Sequence, residues 1–335
     1  MAAIRGFEEE ARRLTASDAQ YRRIPGVVVA AATASGSSYV FSSGVRSLNA
    51  DTGVSKPIDE NTVLWMASVT KLMTSVAAMQ CVERGLVSLD EDITTILPEL
   101  KNAQILTGFD SHDKPILRPT TRKITLKKLL SHSAGMGYDI KTQLLRKFQE
   151  GIPKAFKGDF EESFSKLPLV YEPGEGWQYS ASLDWVGKVN PFPSFEDRIA
   201  DLSLRDPTDQ VMKPAATIFA RPAKDDSGGA GVFSTPSDVL KLLIALLNGN
   251  IQILNHATID EIFAPQLPNP AFINDNLSDP QYKMGMTTDL PEGIAFNFGL
   301  AGMLVKDKLD TGRQEGSMQW GGLPNILWVM QSSSK

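Results

Sequence analysis

The sequence predicts an α/β fold of the α+β type, with an antiparallel sheet flanked by helices and an all-helical insert. Three observations predict it. Short apolar runs bounded by glycine or proline lie near both ends of the chain, at 27–32, 39–41, 296–305, 316–320 and 326–330. Apolar residues at helical spacing follow Ser68 and again follow Pro236. From about Leu106 to Lys224 the pattern changes to short helices and loops. Residues 1–105 plus 225–335 are therefore read as the sheet region, with 106–224 as a shortened helical insert, all in one composite domain.

Taken in order, 4–22 is charged and helical in period, and Pro25-Gly26 turns the chain into a hairpin over 27–41. The run Leu64-Trp65-Met66-Ala67-Ser68-Val69-Thr70-Lys71 then opens a long helix. Leu72, Met73, Val76, Ala77, Met79 and Val82 continue it until Arg84-Gly85, a C-terminal cation and stop. On a helix, residues three apart share a face, so the Lys71 arm reaches the Ser68 hydroxyl and sets a base beside a nucleophile. Near a helix N-terminus, unpaired N–H groups and the positive end of the dipole favour an alkoxide and disfavour an ammonium. The same Ser-x-x-Lys spacing recurs at Ser111/Lys114, Ser163/Lys166 and Ser332/Lys335, in charged, polar or serine-rich segments that read as solvated loops. A lysine serves as a base near pH 7 only where its surroundings lower its pKa by roughly three units. A third proton-carrying group is expected on another element. Tyr179 is the candidate: it follows the Pro173-Gly174 turn and precedes a helical stretch at 182–186, a setting that also suits an ordinary core tyrosine.

Short helices are expected at 143–148 and 160–167, and 201–223, with Pro207, Pro214 and Pro222, reads as loop. Order returns at Thr235-Pro236-Ser237-Asp238, a capping box with proline at the first helical position. The following 239–247 is apolar almost all round, which predicts a buried helix that stops at Asn248-Gly249.

These landmarks together resemble the serine beta-lactamase and penicillin-binding-like superfamily, in its esterase and transesterase branch, which includes fungal lovastatin-type acyltransferases. The resemblance rests on Ala67-Ser68-Val69-Thr70-Lys71, then Gly85-Leu86-Val87-Ser88-Leu89-Asp90, and then Leu129-Leu130-Ser131-His132-Ser133-Ala134-Gly135-Met136. It continues with Pro173-Gly174 before Tyr179-Ser180, Ser227-Gly228-Gly229-Ala230-Gly231 and Trp320-Gly321-Gly322. Any one is weak; the order over most of the chain is strong. By position, the resemblance implies Ser68 as nucleophile, Lys71 as base and Tyr179 as acid/base. It implies an oxyanion site from the backbone N–H groups of Ser68 and Leu323, with Gly321 and Gly322 letting the acyl group approach the strand edge and Trp320 lining its pocket. Read without the family, those glycines are equally a plain tight turn.

Departures from the lactam-acting pattern narrow the substrate. Tyr179-Ser180-Ala181 lacks the asparagine that binds an amide, and Trp320 stands where a lysine would attract a carboxylate. Neither alanine nor indole supplies those contacts, so neutral acyl groups on esters or thioesters are expected rather than beta-lactams or peptides. The acyl group would pass to water or to an alcohol, with a fungal natural-product pathway and an acyl carrier protein as donor implied by analogy alone. Against that family, the chain is expected to be shortened at Asn190-Pro191-Phe192-Pro193 and after Met330. This motivates a rival reading as a catalytically impaired lactamase-like protein; a beta-lactamase or peptidase is a lesser rival.

At 335 residues and 42% hydrophobic, the chain can bury a substantial core. A net charge of −5 gives no basic footprint for nucleic acid. Cys81 is the only cysteine, so no internal disulfide is expected and a core thiol in a reducing compartment is. His112, His132 and His256 lie far apart without ligands at metal spacing, so no metal and no cofactor is expected, and His132 is given a structural role in a turn. The N-terminus has no signal-peptide core and no apolar run is long enough to span a bilayer; the expectation is a cytoplasmic protein. No Gly-x-Ser-x-Gly elbow occurs.

Overall fold

Residues 2–18, 20–49, 56–149, 160–187, 200–215, 226–278 and 290–331 are described in the computed structural model. The expected Asn190–Pro193 junction and the Ser332/Lys335 pair lie outside them. Helix α1 (Ala2–Leu14) precedes β1 (Gly26–Ala32), β2 (Ser38–Gly44) and β3 (Leu64–Trp65). A 3-10 turn, Ala67–Val69, runs into α2 (Thr70–Glu83). Then come β4 (Gln104–Phe109), β5 (Pro115–Pro119), α3 (Leu126–Leu130), α4 (Gln143–Phe148) and α5 (Ser182–Gly187). They are followed by β6 (Ser203–Arg205), β7 (Met212–Pro214), β8 (Phe233–Ser234), α6 (Pro236–Leu247), α7 (His256–Phe263) and α8 (Ala271–Ser278). Strands β9 (Phe296–Phe298), β10 (Met303–Val305), β11 (Met318–Gly322) and β12 (Ile326–Met330) close the described chain.

The chain divides into two units, one of Met1–Met66, Pro193–Ile218 and Phe233–Asn248, the other of Ala67–Phe192, Phe219–Val232 and Gly249–Lys335. In the first, β1 and β2 form the expected hairpin, in register from Gly26 opposite Gly44 to Ala32 opposite Ser38. Helix α1 stops sooner than its charged period suggests: the Thr15 hydroxyl turns back to the Ala11 carbonyl (2.9 Å), and the Tyr21 and Arg22 N–H groups close a turn on the Asp18 carbonyl. Helix α6 packs on β1 and is capped as predicted: Thr235 Oγ1 accepts the Asp238 N–H at 3.1 Å with Pro236 at the first position.

In the second unit the strand order is β12-β11-β10-β9, and every pairing between named strands is antiparallel. Strands β9 and β10 are buried along their length, whereas β12 is an edge strand with Leu327 and Val329 exposed. Helix α2 lies in the core although it carries polar residues, because each buried one has a partner. Thr74 Oγ1 donates to the Gly228 carbonyl and Ser75 Oγ to the Leu300 carbonyl, both at 2.7 Å. Cys81, expected in the core, is half-buried on this helix.

The antiparallel α+β class holds, but the stretch read as all-helical also carries strand. The hairpin β4–β5 enters it and β6–β7 lies inside it. Strand β5 is exposed at all five positions and has proline at both ends, so no apolar alternation betrays it, and β6 and β7 have three residues each. The expected helix at 160–167 is a single π turn, Glu161–Ser165.

Candidate active site

Ser68 is half-buried in the turn that feeds α2, as its helix-start context predicts. Ala67, just before it, is buried at φ +43, a left-handed conformation that costs a residue with a Cβ on the order of 1 kcal/mol. That strain sits next to the hydroxyl, in a turn packed against β11 and β12. No side chain caps the N-terminus of α2, so its first N–H groups keep their partial positive charge.

Lys71, one turn on, is 2% exposed. Its Nζ lies 3.5 Å from Ser68 Oγ, 3.2 Å from Tyr138 Oη and 2.8 Å from the Gly229 carbonyl oxygen. It also stands 4.8 Å from the Tyr179 ring centre. Tyr179 Oη donates a short hydrogen bond to Ser68 Oγ. The hydroxyl, amine and phenol singled out in the sequence thus converge, from segments 111 residues apart.

Each is held in place by packing. The Tyr179 ring meets His132 at 4.9 Å, Trp320 at 5.0 Å and Tyr138 at 5.5 Å between centroids. His132 occupies the expected turn after α3, where Thr125 Oγ1 accepts the Lys128 N–H as a cap. It adopts φ +57 and is 1% exposed. Its Nδ1 accepts the Ser180 N–H at 3.3 Å and its carbonyl accepts the Gln178 N–H at 3.1 Å, so it braces the backbone on both sides of Tyr179. Burial, with Lys71 nearby, holds its pKa well below 6.5 and keeps the imidazole neutral.

Trp320 is buried on β11 against Tyr179 and Phe298. Gly321 and Gly322 end that strand half-buried, and Leu323 follows it, 60% exposed. Ala181, where an amide would be expected in lactam-acting relatives, lines a cavity of about 200 Å³ with Met136, Phe164 and Trp185.

Of the other Ser-x-x-Lys pairs, Ser111 and Lys114 are exposed in the β4–β5 turn as expected. Ser163 is not solvated: it is 1% exposed, while Lys166 is exposed and thus faces away from it.

Tyr138, Asp184 and the Gly229 carbonyl escaped the sequence reading. Tyr138 Oη donates to Asp184 Oδ2 at 3.2 Å; Asp184 Oδ1 accepts from Ser227 Oγ at 2.6 Å and from the Gly229 N–H at 3.1 Å. Asp184 did leave a signal: it is the lone acid in the helical stretch Ser182–Gly187, all of it buried, and a buried acid requires partners. The glycines explain the close approach. A Cβ on Gly228 would lie 2.3 Å from the Leu183 carbonyl, and one on Gly187 2.4 Å from the Gly228 nitrogen. Among the described residues, no group of three or more His, Cys, Asp or Glu is placed to hold a metal ion.

The chain as a whole is similar to known proteins. The chain is 31% identical to the acyltransferase mokF of Monascus pilosus, over 100% of this chain and 91% of that one. It is also 31% identical to a lovastatin esterase of Penicillium rubens, over 92% and 86% of the respective chains. The solved unliganded simvastatin synthase LovD of Aspergillus terreus superposes with a TM-score of 0.86 at 30% identity, covering 97% of this chain and 89% of that one. The beta-lactamase family model matches residues 11–330, which takes in the strained serine turn, the buried lysine and the tyrosine above them; this chain is a member of that family.

Proposed function

We propose that the protein is a serine acyltransferase or esterase that works through an acyl-enzyme on Ser68. The observation that carries this is the convergence of Ser68 Oγ, Lys71 Nζ and Tyr179 Oη around one point. Lys71 takes the Ser68 proton as Oγ bonds to the acyl carbon. The negative charge that develops on the acyl oxygen is received by the backbone N–H groups of Ser68 and Leu323. When the bond to the leaving oxygen or sulfur breaks, Tyr179 gives that atom its proton and is reprotonated from the Lys71 ammonium. An alcohol or a water molecule then attacks the acyl carbon by the reverse sequence. The 3.5 Å separation of amine and hydroxyl is at the outer limit for a hydrogen bond, as is common before substrate binds.

Ala181 and Trp320 favour a neutral acyl group carried as an ester or thioester, with Trp320, Gly321 and Gly322 lining its path. Relatives named as an acyltransferase and an esterase at equal identity support acyl transfer and leave both acceptors open. An acyl carrier protein as donor, a place in fungal secondary metabolism and a cytoplasmic location complete the proposal. Among the described residues no helix is long and apolar enough to cross a membrane.

The test is a p-nitrophenyl ester assay followed by mass analysis of the intact protein. A burst with one acyl mass added at Ser68, both lost in Ser68→Ala, is expected. No burst and no adduct would favour the catalytically impaired reading, and nitrocefin turnover the beta-lactamase one.

A further inference from the structure

We infer that Asp184, acting through Tyr138, aims at Ser68 the lone pair with which Lys71 takes its proton. The inference rests on the reading of Lys71 as the base and names what orients it.

The argument is a count of hydrogens. As an ammonium, Lys71 has three N–H groups, and three oxygens stand within reach: Gly229 O, Tyr138 Oη and Ser68 Oγ. Removing one proton leaves two N–H groups and a lone pair that can only accept, so one of those oxygens must become a donor. The Gly229 carbonyl has no hydrogen to give. Tyr138 has one, held by Asp184 Oδ2 at 3.2 Å. Asp184 receives from Tyr138, from Ser227 Oγ and from the Gly229 N–H, the pattern of a carboxylate, which accepts and cannot donate. Turning the Tyr138 hydrogen toward Lys71 would strip a donor from a buried acid. Ser68 can reverse at no such cost, since its oxygen already accepts from Tyr179 Oη while its own hydrogen is free to turn.

The hydrogens therefore run in one direction, from Tyr179 to Ser68 to Lys71 to Tyr138 to Asp184. Burial first, and then the Asp184 charge, push the Tyr138 phenol well above its ordinary pKa, so its hydrogen is retained. Gly229 ties the two ends together, since its N–H serves Asp184 and its carbonyl serves Lys71. Among the described residues, the titratable groups around Lys71 are Tyr138, backed by Asp184 and with the buried Asp139 beside it, Tyr179, and His132 from the turn after α3, whose imidazole is neutral. Tyr138 and Asp184 touch no reacting atom and are positioning residues.

Tyr138→Phe removes one hydroxyl, and Asp184→Asn puts an N–H where an acceptor stood, freeing the Tyr138 hydrogen to turn to Lys71. The burst rate of Ser68 acylation by a p-nitrophenyl ester, measured from pH 5 to 10 on the full chain, is the readout. Each variant is expected to lower the plateau rate by about 10- to 100-fold with KM held within about twofold. The acid limb should move to lower pH, because the ammonium loses an acceptor or a nearby negative charge. Asp184→Asn should cost less in the Tyr138→Phe background than alone, the remainder passing through Gly229, whose N–H it receives and whose carbonyl holds Lys71. If Asp184→Asn does not fold, the Tyr138→Phe profile decides. A wild-type adduct at Ser68 with an unchanged plateau or acid limb in Tyr138→Phe overturns this inference alone. An absent wild-type adduct overturns the acyl-enzyme reading with it.

Discussion

Replacing Gly229 by alanine tests whether the site depends on backbone approach as well as on its side chains. The new Cβ would fall 2.2 Å from Asp184 Oδ2, 2.7 Å from its Cγ and 2.8 Å from Oδ1. Ordinary contact begins near 3.4 Å, so the carboxylate must retreat by about 1 Å, the difference between 3.4 and 2.2. It now accepts at 2.6, 3.1 and 3.2 Å, and a retreat of that size stretches the two longer bonds past any useful length. Hydrogen bonds to a charged group are each worth about 1.5–3 kcal/mol, and overpacking adds about 1–3 kcal/mol. With partial relaxation, a net loss of about 2–4 kcal/mol is expected, seen in calorimetry as a Tm lower by roughly 3–6 °C. The burst rate on a p-nitrophenyl ester should fall by about 100-fold, because the same residue's carbonyl holds Lys71. A Gly229→Ala protein with the parent Tm and burst rate would refute the reasoning, since the side-chain end that meets the added atom is the Asp184 carboxylate, tied down by three hydrogen bonds.

Three further outcomes are expected. Arg118 first, then Thr120 and Thr121, hold the Glu172 carboxyl at about 2 against an ordinary 4.5; the lowered value means its stabilisation is complete above pH 4.5 and lost as pH falls toward 2, so the Tm gap between wild type and Glu172→Gln should close across that window. His132 is depressed below 6.5, so its neutral form stabilises the fold above that pH, and the Tm advantage of wild type over His132→Gln should shrink as pH drops from 7 to 5. Gly6 lies within α1 with nothing within 4 Å of a Cβ, so Gly6→Ala should stabilise by up to about 1 kcal/mol, read as a raised urea midpoint at unchanged slope.

Local chemistry made much of the fold legible. Thr235-Pro236 announced α6 and glycine-bounded apolar runs announced the C-terminal strands, because caps and breakers act within a few residues of themselves. Ser68 and Lys71 were readable for the same reason, since one turn of helix fixes their separation. Tyr179 needed more than spacing: nothing local distinguishes it from a core tyrosine, and only its place in a series of landmarks raised it. Tyr138 and the Gly229 carbonyl were not legible, since one sits in a loop and the other is main chain, and both matter through contacts 67 and 158 residues away. The hairpin β4–β5 was hidden for a different reason: with β5 wholly exposed, its outer strand carries no hydrophobic signature.

The ring of Trp320 rests 5.0 Å from that of Tyr179, whose oxygen bonds to Ser68. An indole so placed is an intrinsic fluorophore two contacts from the reacting atom. Its emission will change as the serine gains and sheds its acyl load, so turnover of colourless natural esters becomes observable by stopped-flow optics without a dye, a label or a chromogenic leaving group.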